Sequence, residues 1–198
     1  MRAPHARTHL EKPHANHWRA RGMLLPPEKF GLIEPSLYRS AFPNPDSFAH
    51  LQLLGLRTVI NLSREALTRS AMAFFAENNM LVADVGLQVW THPECEPISH
   101  ELITEAMRYV LDSAHHPLLV VSASGTHVVG ALVGCLRRLQ GWTLASTLDE
   151  YRRYIVYFLE LAAKMGERYV CLFDMAGWKI SHALHMRKIA CLLDTVQN

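Results

Sequence analysis

Apolar residues follow two rhythms along this chain. Short continuous runs bounded by turn residues, RTVINL at 57–62 and HHPLLVV at 115–121, predict buried strands, and NNMLVADVGL predicts a turn followed by another. LIEPSLYRSAFPNP adds a short extended segment around Leu37–Arg39 before a Pro/Asn turn. Helical spacing lies between the runs. Asp46 reads as the cap of a short helix bearing Phe48, Leu51 and Leu54 and stopped by Gly55, and residues 64–78 read as a helix. Ser99 predicts the start of a helix through Leu111, with Leu102, Ile103, Ala106, Met107 and Val110 on its apolar face. Val128 to Gln140 is helical with a small-residue face. TLASTLDEYRRYIVYFLELAAK reads as one longer helix, with Thr147 and Glu150 at capping-box spacing.

Alternating strands and helices of this length predict an α/β fold with a central, mostly parallel sheet flanked by helices. Prolines at 26 and 27 mark the entry to that domain, which is expected over residues 28–175 after a basic, His-rich arm at 1–27. Residues 176–198 predict a C-terminal amphipathic helix of imperfect period, carrying Ile180, Ala183, Leu184, Ile189, Leu192, Leu193 and Val196. Docking on its own domain and binding a partner are both open to that helix, and docking is the commoner use of such a stripe.

Composition narrows the partners. The 198 residues are 49% hydrophobic, enough to bury one substantial core. Twenty basic residues against 18 acidic give a net charge of +2, too little to argue for nucleic acid. No apolar run approaches the roughly 20 residues needed to cross a bilayer. Four widely spaced cysteines without a CxxC pair favour a reducing compartment, and a cytoplasmic protein is expected. The first 22 residues share a basic, acid-poor composition with mitochondrial presequences, but they are Ser-poor and broken by Pro4 and Pro13.

The candidate chemistry lies in VVSASGTHVVGALVGCLRR, residues 120–138. An apolar strand runs into a tight Ser/Gly loop and then a helix, the construction that presents backbone N–H groups to a phosphate. In a parallel sheet, ligands sit at the carboxyl ends of strands, and Ser122 takes that place. Two other readings of the loop fail on their chemistry. Gly125 and Gly130 match the two-glycine frame of a nucleotide-binding loop, but Ala131 and Leu132 stand where its lysine and hydroxyl belong. Ser124-Gly125 lacks the preceding glycine of a serine-hydrolase elbow. His92 with Cys95, and His182 with His185, have no second ligand pair at a familiar spacing, so neither a metal nor another cofactor is expected.

LYRSAFPNPDSF, LQLLGLRTVINL, the Glu-Pro of CEPI and HPLLVVSASGTHVVGALVGCLRRLQGWTLASTLDEYRRY together resemble the plant and fungal atypical dual-specificity phosphatases, the group containing the yeast Oca proteins. The resemblance covers about residues 28–175 and implies a cysteine-phosphatase-like α/β fold. Active relatives of that group cleave inositol pyrophosphates or phosphotyrosine-type esters through a cysteinyl-phosphate. Their loop reads H-C-x-x-G-x-x-R-x-G, with five residues between the cysteine and the arginine. By that resemblance, Ser122 stands for the nucleophilic cysteine, Val128 for the arginine and Val121 for the histidine. Ala123, Ser124 and Thr126 stand at positions usually basic, while Gly125, His127 and Gly130 match. Glu94 and Glu96 fall in the stretch that aligns with an acid loop.

These replacements have physical consequences. The field that ionises a thiol is far too weak to ionise a serine hydroxyl, which needs an adjacent base; His127 is the nearest in sequence. Valine offers neither the charge nor the forked donors that grip a phosphoryl group. The sequence therefore predicts a pseudophosphatase, a folded phosphatase-like domain without turnover. It would serve as a scaffold or subunit with protein partners, phosphatase-family paralogues or a larger assembly among them. The alternative is a weak phosphatase or an inositol polyphosphate binder that uses the retained backbone loop.

Overall fold

The protein is described by a computed structural model over residues 24–89, 98–155 and 160–173. Five strands form one sheet in the order β1-β2-β5-β3-β4: β1 (Gly31–Glu34), β2 (Leu37–Ala41), β3 (Thr58–Asn61), β4 (Leu81–Ala83) and β5 (Leu118–Ser122). The last four are mutually parallel, and β1 pairs antiparallel with β2 at the edge. The expected mostly parallel sheet is present. β1 was not expected, because four residues ending in a Glu-Pro turn carry too little periodicity to register as a strand.

The central strand β5 shows the period-two pattern most plainly. Leu118 and Val120 face a core built with α4 (His100–Leu111) and α5 (His127–Leu139). Leu119 and Val121 face a second core under α1 (Phe48–Leu53) and α2 (Arg69–Glu77). Nine consecutive residues of α5, Val129 to Arg137, are buried, because α6 (Leu144–Arg153) and α7 (Glu160–Leu172) cover its outer side. A helix wrapped on all sides needs small residues where neighbours cross. At Gly130 an added Cβ would lie 2.7 Å from the Tyr151 ring of α6. Arg137 straps this layer to the sheet edge: it forks Glu150 of α6 at 2.7 and 3.0 Å and reaches the Ile33 carbonyl of β1 at 2.8 Å.

Several boundaries depart from the sequence expectation, each through local hydrogen bonding. Ser99 does cap α4, its hydroxyl accepting from the Leu102 amide. The turn before α1 is capped by Asn44 rather than Asp46, and α2 starts only at Arg69, where the Thr68 hydroxyl accepts from Ala71. After β4 the chain forms α3 (Val85–Val89) instead of extending the strand through the DVGL segment. The long helix expected to run to Lys164 ends at Arg153, and its cap is Thr143, accepting from Ser146; Thr147 lies inside it. The terminal helix expected over 176–198 lies outside the described residues. Among the described residues no helix is long and apolar enough to cross a membrane.

Candidate phosphate-binding site

β5 delivers Ser122 to the carboxyl edge of the sheet, where it pairs in register with Ala41 of β2. The chain then turns sharply. The Ser122 hydroxyl accepts the Gly125 amide at 3.0 Å, and the Ser122 carbonyl accepts the same amide at 3.2 Å. Ala123 and Ser124 form the tip of this turn, and Gly125 at its exit takes the left-handed conformation, φ of +66°, that a glycine adopts without strain. Ala123 and Ser124 are exposed on the open side, and the Ser124 and Thr126 hydroxyls lie 2.7 Å apart.

The helix that follows is left open at its start. α2, α4 and α6 are each capped by a hydroxyl, from Thr68, Ser99 and Thr143, whereas Thr126 makes no side-chain cap bond to α5. The first amide that α5 engages for itself is Gly130, donating to the Thr126 carbonyl at 2.7 Å. The amides of His127, Val128 and Val129 therefore lead out of the helix N-terminus, where the macrodipole is positive.

A residue that sequence reasoning passed over closes the site from behind. Arg39 of β2 is 1% exposed, and its Nη2 donates to the carbonyls of Gly125 at 2.9 Å and Thr126 at 3.4 Å. Its guanidinium lies 3.7 Å from the centre of the Tyr154 ring. Burial lowers its pKa to about 10, which leaves it charged at neutral pH. The available signal was an arginine at alternate spacing between Leu37 and Ala41, on the core face of a strand.

His127 does not serve as the base suggested by its place in the sequence. Its Nδ1 lies 3.4 Å from the Tyr151 hydroxyl, while Ser122 Oγ is engaged with the loop's own amide. Desolvation lowers the His127 pKa, and burial raises that of Tyr151, so both are neutral near pH 7. The folded chain takes up the His127 proton at lower pH than the unfolded chain, so stability falls as pH drops below the ordinary histidine value of about 6.5. Melting temperatures measured at pH 7.5 and 5.5 are expected to fall more for the wild type than for His127→Gln. Equal losses would show that the ring is not desolvated.

The structure thus assembles Ser122 to Gly130 into one loop, with Val128 half-buried on the first turn of α5. Glu94 and Glu96, and the pairs His92 with Cys95 and His182 with His185, lie outside the described residues. Asp84, at the neighbouring strand end of β4, accepts from Asn61 Nδ2 at 3.0 Å.

A strand, a glycine-tipped loop and an uncapped helix at the edge of a parallel sheet agree with the comparison of the whole chain. The model of the tyrosine phosphatase family matches residues 24–189. The chain belongs to the tyrosine phosphatase family. Within it, the chain is 35% identical over 157 residues to inositol diphosphatase DSP4 of Arabidopsis thaliana, covering 79% of this chain and 77% of that relative. OCA1 of Yarrowia lipolytica is 40% identical over 131 residues, which are 66% of this chain and 52% of OCA1. The core catalytic domain of the PP-IP phosphatase SIW14 from S. cerevisiae, solved in complex with citrate, superposes with a TM-score of 0.71 at 27% identity, over 82% of this chain and 96% of that one.

These relatives overturn the expectation of a pseudophosphatase scaffold that is not an enzyme. Phosphatase-family members similar over three quarters of the chain carry the name inositol diphosphatase. The expectation let the side chains missing from the loop, Ser122 for cysteine and Val128 for arginine, outweigh the backbone loop that the alternative reading relied on. The backbone frame is retained: α5 starts without a side-chain cap, and Arg39 from another strand reaches the carbonyls of Gly125 and Thr126.

Proposed function

We propose that this phosphatase-family chain binds an inositol polyphosphate or diphosphate at the Ser122–Gly130 loop and hydrolyses a terminal phosphoryl group slowly. The observation that carries this reading is the open N-terminus of α5, led by Gly125 in a left-handed turn, in a chain similar to inositol diphosphatases. The first-turn amides would take the phosphoryl oxygens, and the helix dipole would favour their charge. In hydrolysis, the oxygen of a water bonds to phosphorus as the bridging P–O bond breaks, releasing orthophosphate and a ligand one phosphate shorter, and the water's proton passes to solvent. Ser122 holds the loop amide and is not ionised, which accounts for slow turnover.

Titration calorimetry with inositol hexakisphosphate tests binding, and phosphate release from a diphosphoinositol polyphosphate tests turnover. Saturable heat with a Kd between about 10 μM and 1 mM is expected, together with slow release above a protein-free blank. No heat at millimolar ligand would overturn the proposal. Heat without release would remove its catalytic half.

A further inference from the structure

We propose that Arg39 is the positioning cation of this loop, the group that orients the loop's amides toward a phosphoryl ligand and supplies the positive charge that the loop's own sequence lacks. The inference rests on the ligand reading above and adds a residue from a distant part of the chain.

Peptide geometry gives the first reason. The carbonyl of one residue and the amide of the next point in opposite directions across a peptide plane. Arg39 holds the carbonyls of Gly125 and Thr126 on the sheet side, so the amides of Thr126 and His127 are directed to the other side, where the Thr126 amide meets the Ser124 hydroxyl at 3.4 Å and the His127 amide stands at the uncapped start of α5. Arg39 thereby sets the face that a phosphate meets.

Charge gives the second reason. A neutral donor would anchor two carbonyls, yet the chain buries a full guanidinium, which is costly unless it is matched. Arg39 Nε and Nη1 are buried without a hydrogen-bond partner among the described residues. Glu150 is the carboxylate whose field reaches Arg39, and Arg137 already forks it. Tyr154 lays the face of its ring on the guanidinium and, ahead of Glu150, offsets part of the cost of burying it. The charge of Arg39 is therefore only partly compensated, with no hydrogen-bonded carboxylate among the described residues, beneath a loop with no basic side chain except His127, which desolvation keeps neutral. A phosphorylated ligand above the loop completes the pair, across a gap that salt screens weakly.

The test compares wild type, Arg39→Met and Arg39→Lys by calorimetry with inositol hexakisphosphate and by melting temperature without ligand. Arg39→Met is expected to weaken binding by about tenfold or more. Arg39→Lys keeps the charge and a donor for the Gly125 carbonyl, the nearer of the two, and gives up the longer bond to Thr126 and the planar stack on Tyr154. It is expected to bind within about threefold of wild type while melting as low as Arg39→Met. A purely structural arginine would instead give affinities that follow the melting temperatures. Wild-type binding that survives in Arg39→Met, or a lysine variant as weak as the methionine one, overturns the role of Arg39 and leaves the ligand reading intact. Failure of both variants to fold even at 10 °C would make Arg39 a structural residue and end the proposal. Absence of binding by the wild type removes the ligand reading and this assignment with it.

Discussion

Ser122→Cys combined with Val128→Arg is expected to raise the rate of phosphate release by about a thousandfold over the wild type. The introduced thiol would sit where Ser122 Oγ already accepts the Gly125 amide at 3.0 Å, at the start of α5 and above the charge of Arg39. Each of these favours a thiolate, so the thiol would ionise well below its ordinary value. A serine hydroxyl at the same point stays protonated, because its starting acidity is far lower. Val128 is half-buried at the second position of α5 and packs in part against the core, so an arginine there would have to turn outward, toward the exposed Ala123 and Ser124, to reach a ligand. Its planar fork would tighten on the phosphoryl oxygens as charge develops on them. The two changes act on one transition state and are not additive. Ser122→Cys alone is expected to gain a nucleophile without its clamp, and Val128→Arg alone to improve binding more than rate. Release from an aryl phosphate and from a diphosphoinositol polyphosphate measures all four proteins. A double variant that binds ligand as the wild type does yet turns over no faster would show that the loop does not hold a phosphoryl group in line with position 122.

The part of this site that follows the chain in order was legible in the sequence. Leu118 to Val121 is a continuous apolar run, Ser122 to Thr126 is small and polar, and the apolar helix begins at once, so strand, loop and helix each announce themselves locally. Ser99 at the head of α4 is equally plain, since its hydroxyl acts on an amide three residues on. What stayed hidden depends on residues distant in sequence. Arg39 reaches Gly125 across 86 positions, and nothing near LYRSAFP says that β2 will lie beside β5. Tyr151 is tied to the loop in the same way: its ring fills the space that Gly130 leaves open, and its hydroxyl meets His127. His127 and Ser122, five positions apart, suggested a base and its nucleophile, yet their partners come from α6 and from the loop backbone.

The same distinction explains why the inference from missing side chains went astray. A phosphate loop is partly a backbone device, and backbone devices are recorded in glycines, uncapped helices and buried anchors rather than in a catalytic signature. Val128 and Ser122 describe what the loop has not got. Gly125, the free start of α5 and Arg39 describe what it has.

Gly125→Ala is therefore expected to do more damage than an equal change at another left-handed glycine. Gly55 has φ of +58° and nothing within 4 Å of an added Cβ, so Gly55→Ala pays only the backbone term, about 1 to 2 kcal/mol. Gly125 has nearly the same φ, but its added Cβ would overlap the Ala41 backbone nitrogen and lie 2.7 Å from the Ser40 carbonyl carbon. Those atoms belong to β2, which is hydrogen-bonded along its length to β5 and cannot yield. The loop must move instead, breaking the Arg39 contact to the Gly125 carbonyl and the Ser122 contact to its amide. A cost of about 3 kcal/mol is expected by denaturant unfolding, together with loss of the calorimetric heat of inositol hexakisphosphate. Gly55→Ala, folded at the same temperature, is expected to keep that heat. Equal costs at the two glycines, with binding unchanged in both, would mean that the approach of the loop to β2 is not what forms the anion site.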